Sequence, residues 1–176
     1  MEYLLLNNCL SVAAAGNDSL QRVELHRPRF GPRIPARYPS VLGVAATTRD
    51  PSHAAAYSNI GDEFDLGDHI ATFGGDVTPR DEPKDAVIGV FSARGFPRRR
   101  GTPAIHNENG WASWSGTSFA TAIISGIISG YWTLERRHQP NLSAEDVLVG
   151  FSKLARDYAP ALRTSSLWVK GVWQHM

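Results

Sequence analysis

Trp114-Ser115-Gly116-Thr117-Ser118-Phe119-Ala120 is the stretch that decides the fold. A glycine-led turn runs straight into Phe119 to Leu134 (FATAIISGIISGYWTL), which is apolar almost without interruption. Thr117 or Ser118 therefore opens a helix predicted to reach about Arg136. Apolar residues nearly all round it predict burial on every side. Ser125, Gly126, Ser129 and Gly130 are small and let neighbouring elements approach closely. Glu135, Arg136 and Arg137 mark the exit to solvent, and the cations suit the negative end of the helix dipole. The run is shorter than the roughly 20 residues that span a bilayer. It also carries Thr121, Ser125 and Ser129, so a core helix is expected and no membrane partner. A serine at such a helix start lies where unpaired N–H groups and the positive dipole end favour a developing oxyanion. It is also the position of an N-cap, and spacing alone favours the cap reading.

Working outward, residues 8–15 (NCLSVAAA) read as a short buried strand closed by Gly16-Asn17-Asp18, a turn signal. In that turn Asn17 reads as a residue tolerant of a left-handed backbone. Residues 20–39 are rich in Arg and Pro and read as a loop. Residues 40–47 (SVLGVAAT) and Val87 to Ser92 are further runs of strand length. Residues 74–85 are dense in Gly, Asp and Pro, and 94–104 form a basic loop. Its Arg98-Arg99-Arg100 suits a docking patch or a processing site. A solvated loop is expected, because no aromatic or amphipathic pattern surrounds it. A second helix starts at Ser143, with Asp146 three residues on as a variant capping box. It continues through Val147, Leu148 and Phe151 to about Ala155. Apolar strands mixed with buried helices argue for an α/β domain with a parallel sheet.

The 176 residues are enough for one domain with a core. Net charge is +1, which gives no reason to expect nucleic acid or an anionic membrane as partner. The single cysteine, Cys9, excludes an internal disulfide, and its apolar context predicts a buried, inert thiol. The N-terminal MEYLLLNNC lacks the basic leader and apolar length of a signal peptide.

Gly116-Thr117-Ser118-Phe119-Ala120-Thr121 resembles the nucleophile motif of the subtilisin-like serine proteases, with Ala122 where that family usually has proline. Val12-Ala13-Ala14-Ala15-Gly16-Asn17-Asp18 is similar to the family's strand-to-loop segment carrying an oxyanion asparagine. Tyr38-Pro39-Ser40-Val41-Leu42-Gly43-Val44-Ala45-Ala46 resembles the buried strand that follows it. Ala55-Ala56-Tyr57-Ser58-Asn59-Ile60-Gly61, then Phe64-Asp65-Leu66, is similar to a Ser-Asn-x-Gly turn before a short strand. Four segments in family order span about residues 8–135.

The resemblance implies a three-layer α/β fold, a mostly parallel sheet flanked by helices, incomplete on its N-terminal side. Residues 1–160 would be the C-terminal part of the peptidase domain, 74–109 an insertion and 161–176 a C-terminal extension. It further implies a polypeptide substrate, Ser118 as nucleophile, and Asn17 with the Ser118 N–H as oxyanion donors. Ala14, Ala15 and Gly16 would lie along the primary specificity pocket. Many of the family bind calcium, but the acidic cluster Asp62, Glu63, Asp65 and Asp68 has no ligand-loop spacing and is expected to be solvated. No metal site or cofactor is assigned.

The family's general base and its orienting carboxylate lie upstream of the asparagine segment, in Asp-x-Gly and His-Gly-Thr contexts. Neither motif is present in the 16 residues before Asn17, and all six histidines (His26, His53, His69, His106, His138, His175) follow it. Without a base, serine is a poor nucleophile. The chain alone is thus expected to be inactive and to require the N-terminal part of the same domain as its partner. The competing expectation is a pseudo-protease remnant that binds rather than cleaves. An α/β-hydrolase is excluded because Gly-x-Ser-x-Gly fails at Ala120, which stands where the second glycine is required. A phosphate loop is excluded because Ala15-Gly16-Asn17-Asp18 holds one glycine.

Overall fold

A computed structural model describes residues 2–51, 53–60, 69–76, 86–96, 103 and 105–157. The chain runs α1 (Glu2–Leu6), β1 (Ser11–Ala14), α2 (Leu20–Glu24), β2 (Val41–Thr47), β3 (His69–Phe73), β4 (Val87–Val90), β5 (Trp111–Trp114), α3 (Thr117–Glu135) and α4 (Ala144–Asp157). The first three strands form a parallel sheet in the order β1-β2-β3, and β4 pairs antiparallel with β5.

All seven residues of β2 are buried, as a central parallel strand covered on both faces requires. The period of two divides them. Leu42, Val44 and Ala46 face a core built with Ile70, Ala120, Ile124, Ile128, Val147, Leu148 and Phe151, largely from α3 and α4. Ala45 faces the other way, against Ala15 and Ala71, with Ala54 and Ile60 packed over them. This is the sheet-and-helix architecture that the sequence implied. Fully burying a side chain such as Phe151 or Leu42 contributes roughly 1.5–3 kcal/mol each.

Several expectations are corrected. α3 is buried along one stripe only, Thr117, Ala120, Ile124 and Ile128, while Ala122, Ser125, Gly126 and Ser129 are exposed. An all-round apolar helix needs cover on every side, and the described residues cover only the side toward the sheet and α4. An open groove of about 560 Å³ runs between β1 and α3, lined by Leu10, Val12, Ser125, Ile128 and Trp132 among others. β1 is an edge strand of the described sheet, paired with β2 alone. Cys9 is exposed rather than buried. Its N–H donates to the Leu4 carbonyl (2.9 Å), closing α1, so Cys9 belongs to the turn and the inward-facing run begins after it. Residues 20–39 contain α2, and the first strand is limited to Ser11–Ala14. Trp111–Trp114 forms β5, pairing with β4 from the stretch read as an insertion. The triple-arginine loop, the acidic cluster and residues 161–176 lie outside the described residues.

The α4 capping box forms as expected. The Asp146 N–H donates to Ser143 Oγ (3.1 Å), while the Ser143 N–H and hydroxyl donate to Asp146 Oδ2 (3.0 and 2.6 Å). The Ser143 hydroxyl and N–H hold the Asp146 carboxyl below its usual range. A depressed folded value contributes stability above the ordinary carboxylate pKa, and that stability is lost as pH falls through the folded value. Ser143→Ala is expected to lower stability by about 1 kcal/mol in urea unfolding at neutral pH. The gap between variant and parent should narrow in acid as Asp146 protonates.

Candidate functional site

The carboxyl ends of β1 and β3 and the N-terminus of α3 come together, and the loops that leave them carry the polar groups. The key contact joins the turn after β1 to the start of α3. Asn17 Oδ1 accepts the Thr117 N–H (2.8 Å) and the Thr117 hydroxyl (3.0 Å). The same hydroxyl oxygen accepts the Gly16 N–H (3.2 Å). An N–H can only donate, so Oδ1 must be the end of the carboxamide that faces Thr117. Nδ2 is then the free end, beside Gly116, where an added Cβ would stand 3.3 Å from it. Gly116 has φ +152, so a side chain there would be strained as well as crowded.

Thr117 is fully buried, and the next residue, Ser118, is exposed. Phe119 and Ala120 N–H groups bond back to the Gly116 carbonyl (3.1 and 3.4 Å). The Ser118 N–H and hydroxyl have no hydrogen-bond partner among the described residues. A helix leaves its first N–H groups without intrahelical partners, and Ser118 holds one of these. Trp114 stacks on Phe119 with centroids 5.5 Å apart, which fixes the turn between β5 and α3.

Both sides of this contact are braced by the loop after β2. Tyr57 is buried, and its hydroxyl donates to the Gly74 and Gly75 carbonyls (2.9 and 2.7 Å). The Gly116 N–H donates to the same Gly74 carbonyl (2.8 Å). Burial raises the Tyr57 pKa above its ordinary value, so its phenol is a neutral donor at neutral pH. On the other side, Asn59 is fully buried and bonds to Asp18 and Ser19. Arg33 and then Asn59 hold the Asp18 carboxyl below its usual range. The Arg33–Asp18 pair (2.9 Å) is largely exposed and contributes little by itself.

Of the residues read from sequence, Ser118 and Asn17 are brought to one place. Gly16 takes the positive φ of the turn (+111), leaving Asn17 out of the left-handed region. Ala14 and Gly16 are partly exposed, whereas Ala15 is fully buried against Ala45 and Ala71. Thr117, Tyr57 and Asn59 were quoted in the sequence segments without a role. Among the described residues no group of three His, Cys, Asp or Glu side chains is placed to hold a metal ion, and no helix is long and apolar enough to cross a membrane.

The sequence model of the subtilase family matches residues 6–149. Among solved structures, the chain is similar to the self-cleaved protease domain of PatA, at 25% identity and a TM-score of 0.58, covering 98% of this chain and 52% of that one. It is similar to a lanthipeptide protease at 20% identity and a TM-score of 0.60, covering 89% and 44%. A protease from Pseudoalteromonas arctica gives 19% identity and a TM-score of 0.61, covering 95% and 42%. The chain thus spans about half the length of the structures it matches. No curated protein matches it.

The Thr117 hydroxyl is replaceable by a methyl of the same shape. Thr117→Val removes the partner of the Gly16 N–H and one donor to Asn17 Oδ1. Leaving such a group unpaired is expected to cost about 1–3 kcal/mol, read as a lower urea midpoint with an unchanged m-value.

Proposed function

The chain belongs to the subtilase family, and from that premise we propose that it carries the nucleophile and oxyanion half of a serine endopeptidase site. Ser118 is the nucleophile. The Ser118 N–H and the Asn17 Nδ2 are the donors that meet the negative oxygen when a peptide carbonyl is attacked. The observation that carries this reading is the pinned Asn17 carboxamide: with Oδ1 tied to Thr117, the N–H₂ end is the one left to act. A donor fixed before the reaction stabilises developing charge without reorganising, which is the source of its catalytic strength. The α3 N-terminus adds its dipole at the same point.

A polypeptide substrate would lie along the β1 end, with Ala14 and Gly16 at the specificity pocket and Ala15 buried behind them. The general base and the carboxylate that orients it come from an N-terminal part of the same domain. Two observations support this: the Ser118 hydroxyl has no partner among the described residues, and the matched proteases are about twice as long. The groove between β1 and α3, lined by both polar and apolar side chains, and the single pairing of β1 offer that part a seat and a strand edge. No cofactor is assigned.

In the enzyme assembled with its N-terminal part, Ser118→Ala is expected to abolish peptide hydrolysis while circular dichroism and the unfolding midpoint stay unchanged. Asn17→Ala is expected to lower kcat about 10²–10³-fold with KM little moved. That magnitude is the one known for subtilisin, carried over by family and not obtained from this geometry. Hydrolysis that survives Ser118→Ala would overturn the assignment. Absence of hydrolysis in the assembled parent would favour a binding remnant.

A further inference from the structure

Asn59 makes none of the bonds just assigned to catalysis, yet the turn that carries Asn17 rests on it. Its side chain is fully buried. Asn59 Oδ1 accepts the Asp18 N–H (3.0 Å) and the Ser19 hydroxyl (2.9 Å). Its Nδ2 donates to Asp18 Oδ2 (2.8 Å), and its backbone N–H donates to the Gly16 carbonyl (3.0 Å). These bonds fall on residues 16, 18 and 19, on both sides of Asn17 and never on Asn17 itself. The fit is close: a Cβ on Gly16 would stand 2.5 Å from Asn59 Nδ2.

Asn59 is itself held by a braced loop. The Ala46 N–H of β2 donates to Ser58 Oγ (2.9 Å), and the Ser19 N–H donates to the Tyr57 carbonyl (3.0 Å). The Arg29 guanidinium donates to the carbonyls of Ala54, Ala55, Ala56 and Ser58 at 2.6–3.3 Å. Asn17, by contrast, is exposed, and Thr117 anchors only the oxygen of its carboxamide. Thr117 can fix where that oxygen sits only if the Asn17 backbone is delivered to within reach.

We propose that Asn59 is a positioning residue that sets the Asn17 backbone so that its carboxamide meets Thr117 and presents Nδ2 beside Ser118. The proposal rests on the reading of Asn17 as oxyanion donor for its catalytic consequence, but not for its geometry. Misplacement of such a donor by an ångström is enough to forfeit much of its effect. A buried amide with the same bonds could also serve global stability alone, and the two roles separate at one amide proton.

The Thr117 N–H, donated to Asn17 Oδ1, reports whether Asn17 is seated. Hydrogen exchange followed by NMR on this chain compares it with the amides of β2. Asn59→Ala is expected to cut Thr117 protection by about tenfold or more beyond any loss shared by β2. An equal loss at Thr117 and throughout β2 overturns the positioning role. Should Asn59→Ala fail to fold, Asn59→Asp keeps both acceptor contacts but sets a carboxylate against Asp18. Thr117 protection should fall in that variant and return when Asp18→Asn is added, which exchanges donor and acceptor across the pair. Failure of the swap to restore it counts against the proposal.

In the assembled enzyme, Asn59→Ala should lower kcat with little change in KM, and should cost nothing further when added to Asn17→Ala. Losses that multiply independently overturn the coupling. If the assembled enzyme cleaves no peptide, the peptidase reading fails and the Thr117 amide still decides the role of Asn59.

Discussion

The bond on which the arrangement depends is the double donation from Thr117 to the Asn17 carboxamide oxygen. It links the end of β1 to the start of α3 across 100 positions of sequence. Remove it, and only the longer Gly16 N–H bond to the Thr117 hydroxyl oxygen (3.2 Å) among the described residues still ties the turn after β1 to the start of α3. The parallel sheet makes the bond available. Strands running the same way deliver their following loops to one edge, and a helix packed on the sheet brings its N-terminus to that edge. The Asn17 turn, the Tyr57–Asn59 loop, Gly74 and the start of α3 are found there.

Small residues allow the helix and sheet to close on that edge. Ala45, Ala15 and Ala71 form one face of the sheet, and Ala46 and Ala120 lie in the other core. At Gly74 the approach is tight: an added Cβ would stand 2.6 Å from the Ala46 Cβ and 2.9 Å from the Gly116 carbonyl oxygen. The Gly116 N–H reaches the Gly74 carbonyl only because nothing intervenes. Tight backbone packing thus sets the position of Ser118, while the Tyr57 phenol and the Asn59 amide supply hydrogen bonds that apolar contact cannot.

The elements legible in the sequence were those with a long one-dimensional signal. β2 is an unbroken apolar run, α3 follows a glycine turn, and the Ser143/Asp146 spacing announces α4. Ser118 and Asn17 were legible through short segments in family order, not through periodicity. What stayed hidden depends on partners far away in the chain. Thr117 looks like the residue before a serine until Asn17 is seen opposite it. Asn59 looks like a turn residue until its bonds to Asp18 and Ser19, about 40 positions away, are known. α2 was masked by the Arg and Pro content around it, and β5, four residues long, carries too little pattern. The burial of α3 could not be read from its own residues, because burial is a property of what covers a helix.

Generating a nucleophile and stabilising the oxyanion it produces are separable tasks, and on the proposed reading this chain carries the apparatus for the second. Charge stabilisation needs a fixed N–H, a fixed carboxamide and a helix end, all local to the carboxyl edge of three strands. Proton removal needs a base whose own orientation is set by a further group. On the proposed reading these two tasks divide between two parts of one domain along the β1 edge. That division places a physical demand on the Asn17 turn. It must hold its geometry against solvent on the side where the other part docks, and contacts from within this chain must do so. Asn59, buried, hydrogen-bonded at both ends of its carboxamide and clamped through its loop to β2, meets that demand from the interior side.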